Sequence, residues 1–220
     1  MTASRWERLA PLTGVAFVVL TVAGIILSLS GSPEDFPAPV EEIVQYYEEE
    51  SGTILAASWL GLVGSFFLIW FGGSVRARLQ DAGEERLGTV AFGGAVMAAA
   101  MGALVDTANM IAALRADDED LGGIGPETAT TMYDLANGML SGGLAIGVAV
   151  FIAATSVAAF RSGAVPMWLA GFGTLVTIGL LIPPIAWAVT ALALLWALIT
   201  SIVLYTSQPA PPAAAGASTG

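Results

Sequence analysis

Residues 88–114 read GTVAFGGAVMAAAMGALVDTANMIAAL, and this stretch decides the fold. Asp106 is its only charged residue. An α-helix rises about 1.5 Å per residue and the hydrocarbon layer of a bilayer is about 30 Å thick, so about 20 apolar residues suffice to cross it. The stretch is long enough and apolar enough to do so. Residues 9–29, 53–71, 127–160, 166–182 and 185–205 repeat the pattern, and together they predict an all-α, polytopic transmembrane bundle of about six spans occupying residues 1–206.

The whole composition agrees. The chain has 220 residues, 56% of them hydrophobic and 11% charged, with a mean hydropathy of +0.79. A soluble domain of this length carries roughly a quarter charged residues. A signal peptide is the rival reading of residues 9–29, but its apolar core is usually about 7–15 residues, so an uncleaved first span is expected.

The polar segments between spans are informative. In residues 39–50, Val40, Ile43, Val44 and Tyr47 recur at helical spacing, while Glu41, Glu42, Glu48, Glu49 and Glu50 take the other side. This predicts an amphipathic helix lying over the end of the bundle as a lid or brace; its acidic face would be repelled by anionic lipid. Residues 126–160 are longer than a span requires, so this helix should tilt, project, or kink near Gly142-Gly143. Pro183-Pro184 predicts a tight turn, and the Pro/Ala/Gly-rich tail 207–220 a disordered segment.

Orientation follows from arginine. Arg5, Arg8, Arg76, Arg78, Arg86 and Arg161 fall at one end of the predicted bundle and only Arg115 at the other. The positive-inside rule then puts both termini in the cytoplasm and the surface helix outside. Trp6, Trp70, Trp168 and Tyr205 would form the aromatic belt of the cytoplasmic interface.

Several chemistries are excluded by composition. The chain has no His and no Cys, and all seven of its basic residues are Arg. The usual ligands of zinc, haem and iron–sulfur centres are therefore missing, as are a Ser-His pair, a thiol nucleophile and a Schiff-base lysine. No cofactor and no enzymatic activity are expected. The scattered arginines form no basic stripe, so nucleic acid is not a partner. Asp117-Asp118-Glu119-Asp120 lacks the ligand spacing of a calcium loop and reads as a solvated acidic turn.

One pattern remains as a candidate site. Asp106-Thr107-Ala108-Asn109 and Asp134-Leu135-Ala136-Asn137 echo each other on the third and fourth spans. Thr130, Asp134, Asn137 and Ser141 line one stripe of the fourth helix; Ala95, Ala98, Ala99, Gly102, Asp106 and Asn109 share a broad small or polar face of the third. Small residues let helix backbones approach closely, and Gly138-xxx-Gly142 and Gly143-xxx-Gly147 extend that logic. Asp106 and Asp134 should lie at matched depth in the outer third of the membrane. Two dry carboxylates at one depth cannot both stay ionised, so the seam would hold a proton, a small cation or water, or would serve as a hydrogen-bonded clamp. Tyr133-Asp134 is reminiscent of an intramembrane aspartyl protease. The second aspartate, however, follows Gly102-Ala103-Leu104-Val105 rather than Gly-x-Gly, and the Pro-Ala-Leu segment such enzymes use is missing.

Val40-Glu-Glu-Ile-Val-Gln-Tyr-Tyr47 leading into 54–78, Val165-Pro-Met-Trp-Leu169, and the run 195–205 resemble actinobacterial integral membrane proteins of about six spans, families defined as domains of unknown function. The resemblance implies a bacterial plasma-membrane location and no particular activity. The function expected is a non-enzymatic structural, partner or sensor-like module, in contact with lipid and with a protein partner or a second copy. The alternative is a small transporter or ion- or proton-conducting protein using Asp106, Asn109, Thr130, Asp134, Asn137 and Ser141.

Overall fold

The apolar runs fold as helices because a backbone in hydrocarbon must satisfy its hydrogen bonds internally. The computed structural model describes residues 5–33, 36–118, 123–182 and 185–207, excluding the side chains of residues 5, 6 and 187. Helix α1 (Arg5–Leu9) and a 3-10 turn (Ala10–Leu12) lead into α2 (Thr13–Ser28). The surface helix α3 (Val40–Glu49) precedes α4 (Ser51–Asp81) and α5 (Glu85–Ala116). Then come α6 (Pro126–Met139), a π-helical turn (Leu140–Leu144), α7 (Ala145–Ser162), α8 (Met167–Leu180) and α9 (Ala186–Thr206). All elements among the described residues are helical. The expected turn at Pro183-Pro184, residues 119–120 of the acidic loop and the tail from 208 onward lie outside the described residues.

Among the described residues, five helical segments are long and apolar enough to cross a membrane: Glu7–Ser28, Ser51–Asp81, Glu85–Ala116, Pro126–Ser162 and Ala188–Thr206. The expected span at 166–182 contains only the 14-residue α8, which reaches about 21 Å. It still carries the chain across most of the bundle. Its start is tied to α9 by Trp196 Nε1–H donating to the Leu169 carbonyl at 3.2 Å, and Gly179 near its end packs on Val189 near the start of α9. The second and third spans are longer than their apolar runs because Arg, Gln and Glu extend a helix readily. The helix stops only at Gly83, whose φ of +82° suits a residue without a Cβ.

Six helices form a closed ring in the order α2, α4, α5, α7, α8, α9, with α9 returning to α2. Phe71, Phe151 and Trp196 meet edge-to-face inside it, with both centroid separations 5.7 Å. The ring has two distinct ends. At one, Arg78 Nε donates to the Ala164 carbonyl at 3.1 Å, Arg161 Nε pairs with Glu84 Oε1 at 3.0 Å, and Ser201 Oγ donates to the Pro11 carbonyl at 2.6 Å. The α4–α5 turn, the α7–α8 turn, the start of α2 and the end of α9 therefore share the arginine-rich end. Trp168 and Tyr205 are exposed there, and Trp70 is exposed on α4.

The broad small face of α5 divides into two stripes. Gly94 and Ala98 face α7: a Cβ on Gly94 would lie 2.5 Å from Phe151 N, and one on Gly147 2.5 Å from Ala98 N. Ala95 and Gly102 face α4, with Ala95 Cβ 2.6 Å from the position a Gly72 Cβ would take. Gly143 packs on Met101, but added Cβ atoms on Gly138 and Gly142 would meet nothing within 4 Å. The Gly143/Gly147 pair thus makes a helix crossing and the Gly138/Gly142 pair does not. The reason is the π-turn at Leu140–Leu144, whose extra residue shifts the facing side between α6 and α7.

Candidate functional site

At the end opposite the arginines, α3 closes the bundle. Its buried residues are Ile43, Tyr46 and Tyr47; Val40, expected on the same face, is 40% exposed. They join Ile54 of α4, Ala112 and Ala113 of α5, Ile124, and Ala129 and Tyr133 of α6 in a second apolar cluster, separate from the main core. Three contacts fasten this cap. Tyr46 OH donates to the Ser28 carbonyl at the end of α2, at 3.3 Å. Tyr47 is fully buried and its hydroxyl donates to Asn109 Oδ1 on α5, at 2.9 Å. The rings of Phe36 and Tyr133 meet at 6.2 Å. Burial, reinforced by Tyr133 and Glu50, pushes the Tyr46 phenol up to about 12. Burial, with Tyr46 and Tyr133 adding to it, raises Tyr47 as well. Both phenols stay neutral donors across the physiological range.

Asp106 is half-buried and faces α4. Its carboxylate rests on the bare backbone of Gly61: a Cβ there would fall 2.5 Å from Asp106 Cγ and Oδ1 and closer still to Oδ2. One helix further on, a Cβ on Gly24 of α2 would lie 3.1 Å from the Ala57 carbonyl oxygen and 3.7 Å from Gly61 N. Ser65 Oγ lies 3.2 Å from the position of a Cβ on Gly102, one turn from Asp106. Ser58, Gly61 and Ser65 occupy one face of α4 at i, i+3 and i+7, so α4 offers Asp106 a strip of small and hydroxyl-bearing residues.

The expected seam between the third and fourth spans is not what these residues build. Asp134 is exposed and is not buried against α5. Thr130 Oγ1 donates to the Pro126 carbonyl at 2.9 Å, Asn137 Nδ2 to the Tyr133 carbonyl at 2.9 Å and Ser141 Oγ to the Asn137 carbonyl at 2.5 Å. All three bond back to their own helix. The physical reason is rotation. Ala129, Tyr133 and Ala136 form the buried stripe of α6, and Thr130, Asp134 and Asn137 are the next residue along, about 100° around the helix. The apolar stripe won the interface, and the polar one was turned away.

Among the residues proposed for the site, the structure therefore brings Asp106 to α4 and Asn109 to Tyr47, and leaves Thr130, Asp134 and Asn137 on α6 and Ser141 in the π-turn. Sequence reasoning missed Gly61 and Ser65, and it noted Tyr47 only as an apolar-face residue. The spacing Gly24, Gly61 and Gly64 on consecutive spans was an available signal for close crossing. Among the described residues no group of three or more Asp or Glu side chains is placed to hold a metal ion. Comparison with protein-family models, with curated proteins and with solved structures gave no match.

Proposed function

We propose that this chain is a non-enzymatic, multi-pass module of a bacterial plasma membrane, with both termini in the cytoplasm and a folded cap on the outer side. The observation that carries this reading is the hydrogen bond from Tyr47 to Asn109. It commits the best-placed polar side chain of the candidate site to holding the cap. Arginine placement supports the orientation, with six of the seven falling at the end opposite the cap.

Helix length supports the cap as an extramembrane unit. Residues 126–162 form 37 residues of nearly continuous helix, about 55 Å long. Even tilted by about 40°, the upper end of the usual range, that length covers about 42 Å along the membrane normal, against a hydrocarbon layer of about 30 Å. The helix therefore overhangs the hydrocarbon layer, as a cap that includes the start of α6 requires. A cap of this kind suits a partner or sensor-like role, with the acidic face of α3 presented to the outside.

A second reading is favoured by one observation. Among the described residues Asp106 has no hydrogen bond and no ion pair, which suits a carboxyl that carries a proton or small cation. Purified protein reconstituted in liposomes separates the two readings. No proton or sodium flux above protein-free vesicles is expected. Flux that is present in the wild type and lost in Asp106→Asn would replace the module reading with transport.

A further inference from the structure

We propose that the groove between α4 and α5 near the arginine-rich end holds a phospholipid, with Arg76 taking the headgroup phosphate. Arg76 leans from α4 onto α5, its guanidinium carbon 5.7 Å from the centroid of the Phe92 ring. Its Nε is buried and, among the described residues, meets no acceptor. A buried guanidinium N–H without an acceptor is costly, and folds rarely leave one. Three carboxylates lie on the adjoining turn, yet none serves it among the described residues. Glu84 is taken by Arg161 at 3.0 Å, and Asp81 and Glu85 are exposed. Arg78, two residues on, spends its own Nε on the Ala164 carbonyl. Arg76 is half-buried over Phe92, and its guanidinium has no carboxylate partner among the described residues.

The position suits a headgroup. Arg76 is five residues from the end of α4 at Asp81, about 7.5 Å along the axis, within the arginine-rich end of the bundle. From there toward the middle of the bundle the groove is apolar. Gly73 and Ile69 lie three and seven residues before Arg76 on the same side of α4, and Val96 one turn beyond Phe92 on α5. A Cβ on Gly73 would meet nothing within 4 Å, while Ile69 and Val96 are 40% and 38% exposed. An acyl chain can lie in this trough with its phosphate at the guanidinium. Residues 76–86 carry three arginines and three acids, so recognition falls on the phosphate ester itself, which accepts charge-assisted hydrogen bonds from guanidinium, and not on a net positive field.

Native mass spectrometry of the full chain in detergent tests this, with dioleoyl phosphatidylglycerol, dioleoylglycerol and inorganic phosphate as probes. The wild type should retain one phosphatidylglycerol and no dioleoylglycerol, and inorganic phosphate should not displace the lipid. Arg76→Gln should weaken retention about tenfold, the loss of roughly one charge-assisted hydrogen bond. Gly73→Leu should abolish retention by filling the trough with Arg76 intact, and Arg86→Gln should change nothing. The proposal is overturned if dioleoylglycerol binds as well as the phospholipid, if free phosphate displaces it, or if Arg86→Gln loses as much as Arg76→Gln. Unchanged retention in Arg76→Gln overturns it too. Should Arg76→Gln not fold, Gly73→Leu decides, because retention in that variant is incompatible with the trough.

Discussion

Gly61→Ala tests the placement of Asp106 directly. The added methyl would land on the Asp106 carboxylate, 2.5 Å from its Cγ. Alanine is the better helix former by about 1 kcal/mol, so an unobstructed Gly→Ala change in α4 should stabilise the protein. Overpacking works against that gain at about 1–3 kcal/mol, since either the short Asp106 side chain leaves its rotamer or α4 and α5 separate. The net effect is a loss of ~0–2 kcal/mol. Gly73, twelve residues along the same helix, has open space at its Cβ and supplies the control. Gly73→Ala gains the propensity without the collision, so the two variants should differ by about 1–3 kcal/mol, the steric part alone. Removing the carboxylate should relieve the collision, and Gly61→Ala combined with Asp106→Ala should be more stable than Asp106→Ala alone. The assay is thermal unfolding in detergent, followed by the fluorescence of the six tryptophans. Equal stability of Gly61→Ala and Gly73→Ala, or no rescue in the double variant, would refute the contact. It would return Asp106 to the α5–α6 interface.

Four further outcomes follow from the same geometry. Tyr47→Phe should cost about 1–2 kcal/mol by leaving Asn109 Oδ1 without its donor, and hydrogen exchange across residues 40–49 should quicken; an unchanged exchange rate would remove the latch. The cap should also loosen in alkali. Both phenols are raised in the folded state, so the fold holds their protons more tightly than the unfolded chain. This stability is fully present below the unfolded phenol value near 10 and declines as pH climbs through about 12 for Tyr46, which tyrosinate absorbance and exchange of α3 can follow together. Gly147→Val should break the α5–α7 crossing, because the new side chain meets the Ala98 backbone, which cannot rotate away. Gly138→Ala, with nothing within 4 Å, should be neutral or stabilising by up to about 1 kcal/mol in the same unfolding assay.

The parts legible in the sequence were those set by local physics. Hydropathy over a window of residues marks what enters lipid, and a stretch such as 88–114 has no alternative to a helix there. The amphipathic pattern of residues 40–50 was equally readable, because Ile43 and Tyr47 on one side and five glutamates on the other leave one way to lie. Its finer rotation was not, and the buried face includes Tyr46 in place of Val40. The excess length of the fourth helix leaves tilt, projection and a kink near Gly142-Gly143 all open from sequence, and the structure has a π-turn at Leu140–Leu144. The shortness of α8 was not visible, since residues 181–182 are as apolar as those before them.

By itself, then, the sequence determined the solvent this protein lives in, the helical form of each span, the end at which the arginines gather and the helix that caps the other end. Each follows from neighbours along the chain. Only the tertiary structure decided what the polar residues face. Asp106 and Asp134 are matched in sequence, yet one lies on Gly61 and the other points outward. A helix with two usable stripes about 100° apart settles its rotation by the summed packing of all its neighbours, and on α6 the stripe of Ala129, Tyr133 and Ala136 packed better than the stripe of Thr130, Asp134 and Asn137. No window of sequence contains that sum, because the residues that make it, Tyr47 on α3 and Ala112 and Ala113 on α5, meet Ala129 and Tyr133 of α6 only in the folded bundle.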